Sequence, residues 1–191
     1  MIALRKKWLK NELLKKRSAR KFNRPGPHAQ AIRVSDYLTS DRIRFFENRP
    51  DHEFVFEELI KMIPFEDSAS ISAAIHAREE IGSTVITPGI AFPHARIPGL
   101  NQIAATLGIC PDGVRTGPGK ALIRLIFLFI SPTENTRNHL RFLTSASSLF
   151  LTENLFDDLI ALKTREAILE KIRGMESKNN KKAIEAVLIN A

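Results

Sequence analysis

The chain has 191 residues, 43% of them hydrophobic and 26% charged, which is long enough and apolar enough to bury a core without covalent staples. Its single cysteine, Cys110, excludes an intrachain disulfide framework and a cysteine-based metal site, and points to a reducing compartment. The formal charge of +8 is concentrated in residues 1–24, where ten Lys or Arg face Glu12 alone; the remainder carries 19 basic and 20 acidic residues, so an argument for polyanion binding applies to that arm only.

In the arm, Leu4, Trp8, Leu9, Leu13 and Leu14 spread over more than half of a helix circumference, and no apolar stretch of signal-peptide kind follows the basic residues. Pro25-Gly26-Pro27 breaks the segment. The longest apolar run, Leu125 to Ile130, is far short of the roughly 20 residues a membrane-spanning helix requires. The expectation is a cytoplasmic protein with a flexible basic arm over residues 1–30, a folded domain over 31–175 and a polar tail over 176–191.

From Val34 the pattern is globular. Phe54, Leu59 and Met62 predict a short helix stopped before Pro64. A second helix is predicted from Ser68 to Ile81, with the apolar stripe Ile71, Ala74, Ile75 and with Gly82 as the residue past its end. Pro88-Gly89 reads as a turn before the run Ile90-Ala91-Phe92, which Pro93 halts. Ile103 to Cys110 and Leu122 to Ile130 read as strands, the second so continuously apolar that both its faces must be covered. Pro111-Asp112-Gly113 between them reads as a turn. Ser131, Pro132 and Glu134 have capping-box spacing and predict a helix start, with Leu140, Leu143, Ser147 and Phe150 on its buried face. Helices are also predicted at Leu155–Leu162 and from Thr164 to Ile172, with a weakly helical stretch at Ala183–Ile189. Strands mixed with helices give an α/β domain.

Three residues carry candidate chemistry. His94 follows Pro93, whose fixed φ limits its freedom, and a neutral imidazole serves as nucleophile, base or metal ligand. Arg78 lies four after Ala74 and seven after Ile71, continuing the apolar stripe. The residues alone leave two readings of it open: a guanidinium turned inward to bind an anion, or one turned outward to neutralise the helix C-terminus. His139 sits beside Leu140 and on its own terms is an exposed helical histidine. His28, His52 and His76 have no metal-ligand spacing. A Walker loop is absent, since Gly117-Pro118-Gly119-Lys120 lacks the spacing and the hydroxyl, and no nucleophile elbow occurs. Neither a metal nor a cofactor is expected.

Two stretches carry a resemblance: Arg78-Glu79-Glu80-Ile81-Gly82-Ser83-Thr84, and Gly89-Ile90-Ala91-Phe92-Pro93-His94-Ala95-Arg96. Together they resemble the signature of the type 2 EIIA domain, the mannitol, fructose and nitrogen-regulatory branch of the bacterial phosphotransferase system. Pro111 to Gly117 is similar to a turn of the sugar-specific members, and Asn138-His139-Leu140 resembles the segment bearing a second active-site histidine. The likeness covers residues 31–175. Phe92 departs from the pattern, replacing a smaller aliphatic residue, and so does Lys120-Ala121-Leu122, where a proline is common.

The resemblance implies an α/β sandwich around a mixed sheet, flanked by helices. It implies that His94 accepts a phosphoryl group from the carrier protein HPr, or a nitrogen-branch equivalent, and passes it to an EIIB-type acceptor. It implies that Arg78, His139, Ser83 and Thr84 bind that group. A second reading is a regulator in which phosphorylation of His94 controls binding to a transporter, kinase or other partner. The arm itself reads as a solvated extension, as a contact for an anionic membrane or, least of the three, for nucleic acid.

Overall fold

The computed structural model describes residues 32–114 and 122–189, with side chains to residue 181. The basic arm and the run from Arg115 to Ala121 lie outside the described residues. Six strands and five helices follow in chain order: β1 (Ile43–Phe45), α1 (His52–Lys61), α2 (Ser68–Ile81), β2 (Val85–Thr87), β3 (Ile90–Ala91), β4 (His94–Ile97), β5 (Ala104–Val114), β6 (Ile123–Pro132), α3 (Thr136–Phe150), α4 (Leu155–Ala161) and α5 (Arg165–Ile189). Short 3₁₀ turns at Val34–Asp36 and Ser40–Arg42 precede β1.

The sheet is mixed, in the order β1-β5-β6-β3-β2. Its centre is the antiparallel pair β5 and β6, the two apolar runs of the sequence. β1 adds to β5 in parallel, and β2 pairs antiparallel with β3. β3 and β4 both lie parallel to β6 and hold one register along it, Ile90 against Leu125 and His94 against Phe129. They are two halves of one strand. Pro93 has no N–H to give a ladder, so the strand breaks there, while its carbonyl still accepts from Phe129 N at 3.1 Å.

Because side chains alternate across a strand, each face of the sheet has its own core. Ala104, Cys110, Ile126, Leu128 and Ile130 face α1 and α2 through Leu59, Ile71 and Ile75. Leu107, Ile109, Leu125, Phe127 and Phe129 face α3, α4 and α5 through Phe142, Phe150, Leu159 and Ile168. This is the α/β sandwich expected from the sequence. Each such fully buried side chain contributes about 1.5–3 kcal/mol relative to exposure. No helix among the described residues is long and apolar enough to cross a membrane.

Several local expectations change. Pro111-Asp112-Gly113 is no turn: β5 runs on to Val114 through a bulge, with Gly113 at φ 79° against Leu122. The capping box is not used either. β6 extends through Pro132, α3 starts at Thr136, and Asn135 caps it by accepting from Asn138 N at 3.1 Å. The buried face of α3 is His139, Phe142, Ala146, Leu149 and Phe150, while Leu140 is 55% exposed. In α1 the buried set is Val55, Phe56, Leu59 and Ile60, with Phe54 turned out. Gly82 ends α2 in an extended conformation, φ 166°, not in the left-handed one.

Gly174 does not end the last helix, which runs unbroken to Ile189. A helical glycine costs about 1 kcal/mol, and tertiary contacts around it offset this. Ile172 is buried before it, and after it the Glu176 carboxylate accepts from the backbone of Val34 and Ser35 and from the Ser35 hydroxyl. On the opposite face Glu53 joins α1 to α2 by accepting from His76 Nε2 at 2.9 Å, and it also lies 3.3 Å from His52 Nδ1. No group of described residues forms a metal site.

Candidate functional site

His94 opens β4, directly after the proline break. Its position on β4 turns its ring to the α3 side of the sheet, where the registered partner Phe129 stacks on it with centroids 5.2 Å apart and planes 12° from parallel. The residue is 9% exposed. Its Nδ1 lies 2.7 Å from the carbonyl oxygen of Phe92. A carbonyl only accepts, so Nδ1 carries the proton and the lone pair of the neutral ring is on Nε2.

Burial holds the His94 pKa below the ordinary histidine value, and the Arg78 charge pushes the same way. The Phe92 carbonyl and the Glu79 carboxylate oppose them. The ring is therefore neutral near pH 7, with an unprotonated nitrogen free to react.

His139 comes to this ring from α3. It is 7% exposed, not the exposed helical histidine the sequence suggested, because β6 continues through Ser131 and shifts the helix start. Its centroid lies 5.4 Å from that of His94. Nδ1 of His139 is 2.7 Å from the hydroxyl of Ser131. Burial, followed by competition with His94 for a proton and the charges of Arg96 and Arg78, lowers its pKa to about 4. Two neutral imidazoles thus lie side by side.

Arg78 donates Nη1–H to the Gly82 carbonyl at 2.9 Å, so it caps the C-terminus of α2. It nevertheless lies close enough to both histidines to depress their protonation. Of the two readings open from the sequence, the hydrogen bond is that of the guanidinium turned to the C-terminus of its own helix. Glu79 beside it accepts from the Thr84 hydroxyl.

The hydroxyls of Ser83 and Thr84 are each bonded within α2 and the segment from α2 to β3. Ser83 Oγ accepts from Val85 N at 3.2 Å, and Thr84 Oγ1 is bonded to Glu79. Thr84 acts through its backbone, its carbonyl accepting from Phe92 N at 3.0 Å and so fixing the strand just ahead of His94. Phe92, the departure from the family pattern, is buried against Phe127 and Phe150.

Arg96 and Ser131 had no role from sequence. Arg96 follows His94 by two along β4, so strand alternation sets both on one face. Its guanidinium is bonded to the Thr133 carbonyl, and its charge acts on His139. The strand period from His94 was the signal for it. For Ser131 the capping-box spacing was a stronger local signal, and it pointed elsewhere. Chemically, the site offers one lone-pair nitrogen and a second neutral imidazole, with the charges of Arg78 and Arg96 near enough to act on His139.

A family model described as "Phosphoenolpyruvate-dependent sugar phosphotransferase system, EIIA 2" matches residues 36–174. The fructose-specific EIIABC component of Bacillus subtilis is 27% identical over 146 residues, 74% of this chain; the chain spans only 23% of that protein's length. The nitrogen regulatory protein IIA-Ntr of Neisseria meningitidis superposes with a TM-score of 0.64 at 23% identity, covering 73% of this chain and 98% of that one. The complex of mannitol IIA with phosphorylated IIB of Escherichia coli gives 0.55 at 19% identity, covering 72% and 97%. With the match spanning β1 through the start of α5 and His94 inside it, the chain belongs to the type 2 EIIA family of the sugar phosphotransferase system.

Proposed function

We propose that the chain is a cytoplasmic phosphoryl carrier. It takes a phosphoryl group on His94 Nε2 from a phosphohistidine of HPr, or of a nitrogen-branch equivalent, and gives it to an EIIB-type acceptor. The observation that supports this reading best is the committed Nδ1–H of His94, which leaves Nε2 as the nucleophile on a ring that neighbours His139. In the step, the Nε2 lone pair forms a bond to phosphorus as the donor's N–P bond breaks, and the donor nitrogen keeps the electron pair. The His94 ring gains positive character, which the Phe92 carbonyl stabilises through Nδ1–H. Arg78 and His139 are the groups for the phosphoryl oxygens. Ser83 and Thr84 support the loop and do not hold the group directly. The likeness to a mannitol IIA solved with its IIB supports the acceptor.

The test is incubation with phosphorylated HPr followed by intact-mass and peptide spectrometry. Wild type is expected to gain one phosphoryl group on the His94 peptide and His94→Ala none; label in both sinks the assignment.

A regulatory role has its own support. Ile81, 84% exposed, ends the helix that carries Arg78, and Leu140, 55% exposed, adjoins His139. A group bearing nearly two negative charges set between such apolar side chains changes which partner they admit. The nitrogen-regulatory likeness favours the same reading. Comparing partner capture by wild type and His94→Ala, with and without phosphorylation, separates the two roles.

A further inference from the structure

We infer that Ser131 is a positioning residue: it fixes His139 as the Nε2–H tautomer and so makes that ring a permanent hydrogen-bond donor beside His94. The inference rests on the proposed carrier role only for what the donor is used on.

Ser131 is fully buried at the end of β6, and its register partner is Arg96 on the strand of His94. Its hydroxyl is 2.7 Å from His139 Nδ1, and it has no other hydrogen-bond partner among the described residues. Two arrangements of the pair are possible. If Nδ1–H donates to the hydroxyl oxygen, the Ser131 proton is left buried with nothing to accept it, a loss comparable to a whole hydrogen bond. If the hydroxyl donates to Nδ1, both atoms are satisfied and the ring's single proton must sit on Nε2. The second arrangement is the one the burial selects.

Its consequence is specific. Each histidine of the pair then has its δ nitrogen tied to its support, His94 to a carbonyl and His139 to a hydroxyl. The supports have opposite polarity. The carbonyl forces a proton onto Nδ1 of His94 and makes Nε2 a lone-pair nitrogen, whereas the hydroxyl forces the lone pair onto Nδ1 of His139 and makes Nε2 an N–H. One ring is set to attack and the other to donate, with centroids 5.4 Å apart and neither ring charged. A neutral donor stabilises incoming phosphoryl oxygens without the tight hold of a second cation, which suits a group that must leave again.

Long-range ¹⁵N–¹H correlation spectra of the histidine rings at pH 7 test this directly. In wild type, Nδ1 of His139 is expected to be unprotonated and Nε2 protonated, with the reverse at His94; a protonated Nδ1 on His139 overturns the inference without any variant. In Ser131→Ala the two His139 tautomers are expected to mix. Transfer to the EIIB-type acceptor should slow about twofold, the effect of losing the donating tautomer from roughly half the molecules and less than the loss on deleting the ring. Adding Ser131→Ala to His139→Ala should slow transfer no further, and Ser131→Thr should restore both the spectrum and the rate. A Ser131→Ala variant that is merely less stable, with the tautomer and rate of wild type, also overturns it. Should wild type take up no phosphoryl group at all, the carrier reading falls, and the tautomer of His139 still decides the role of Ser131.

Discussion

His94 and His139 are the same side chain in nearly the same burial, and their differing partners give them different chemistry. The contributions around them are unequal. On the proposed carrier role the Arg78 charge serves the phosphoryl oxygens, so Arg78→Ala should still accept phosphate on His94 but transfer it roughly 10- to 100-fold more slowly, the value of one charge-assisted hydrogen bond. His139→Ala should slow transfer about tenfold. Quench-flow transfer assays with labelled HPr check both, and wild-type kinetics in both remove the pocket assignment. A different residue bears on stability alone. Thr106, at the centre of β5, has a fully buried hydroxyl with no partner among the described residues. Thr106→Val keeps the shape and removes the orphan, so it should raise stability by about 1 kcal/mol in urea titration.

At the scale of the element, the start of α3 decides where His139 points. The capping-box reading put that start at Ser131, while the chain uses Asn135. The two make opposite demands on neighbouring residues. Asn135→Ala should lower stability by about 1 kcal/mol, whereas Glu134→Ala should change it by no more than a few tenths, since the Glu134 carboxylate is bonded to the Thr133 hydroxyl and to its own backbone rather than to the first turn of α3. Thermal melts of the two variants check this, and a larger loss at Glu134 would return the helix start to Ser131. The break at Pro93 is a device of the same scale. It interrupts β3 and β4 without changing their register on β6, freeing the Phe92 carbonyl to orient His94.

For the whole molecule, the two buried histidines couple the fold to pH. Both have pKa values below the unfolded value of 6.5, His139 at about 4. Between these limits the unfolded chain binds more protons, so stability rises with pH. It is therefore fully present above about 6.5 and is lost as pH falls toward 4. His139 accounts for at most about 1.4 kcal/mol per pH unit in that window. Melting temperatures from pH 7 to 4.5 should fall in wild type, and fall less steeply in His139→Ala. Equal slopes would show that the ring is protonated as freely in the fold as outside it.

The sequence by itself determined the α/β class, the two central strands, the extent of α2, and the identity of His94 and Arg78 as the residues to watch. Those follow from local rules: continuous apolar runs, helical periodicity, and a Pro-His pair whose backbone is restrained. Only the tertiary structure decided the rest. β1 and β4 are too short to carry a periodic signal and exist as strands because β5 and β6 pair with them. Gly174 is overridden by contacts on either side of it, and the Pro111-Asp112-Gly113 turn by a bulge in a strand that the sheet continues. Ser131 passes from helix cap to strand because its hydroxyl finds a buried imidazole, a partner that no local pattern in the sequence describes.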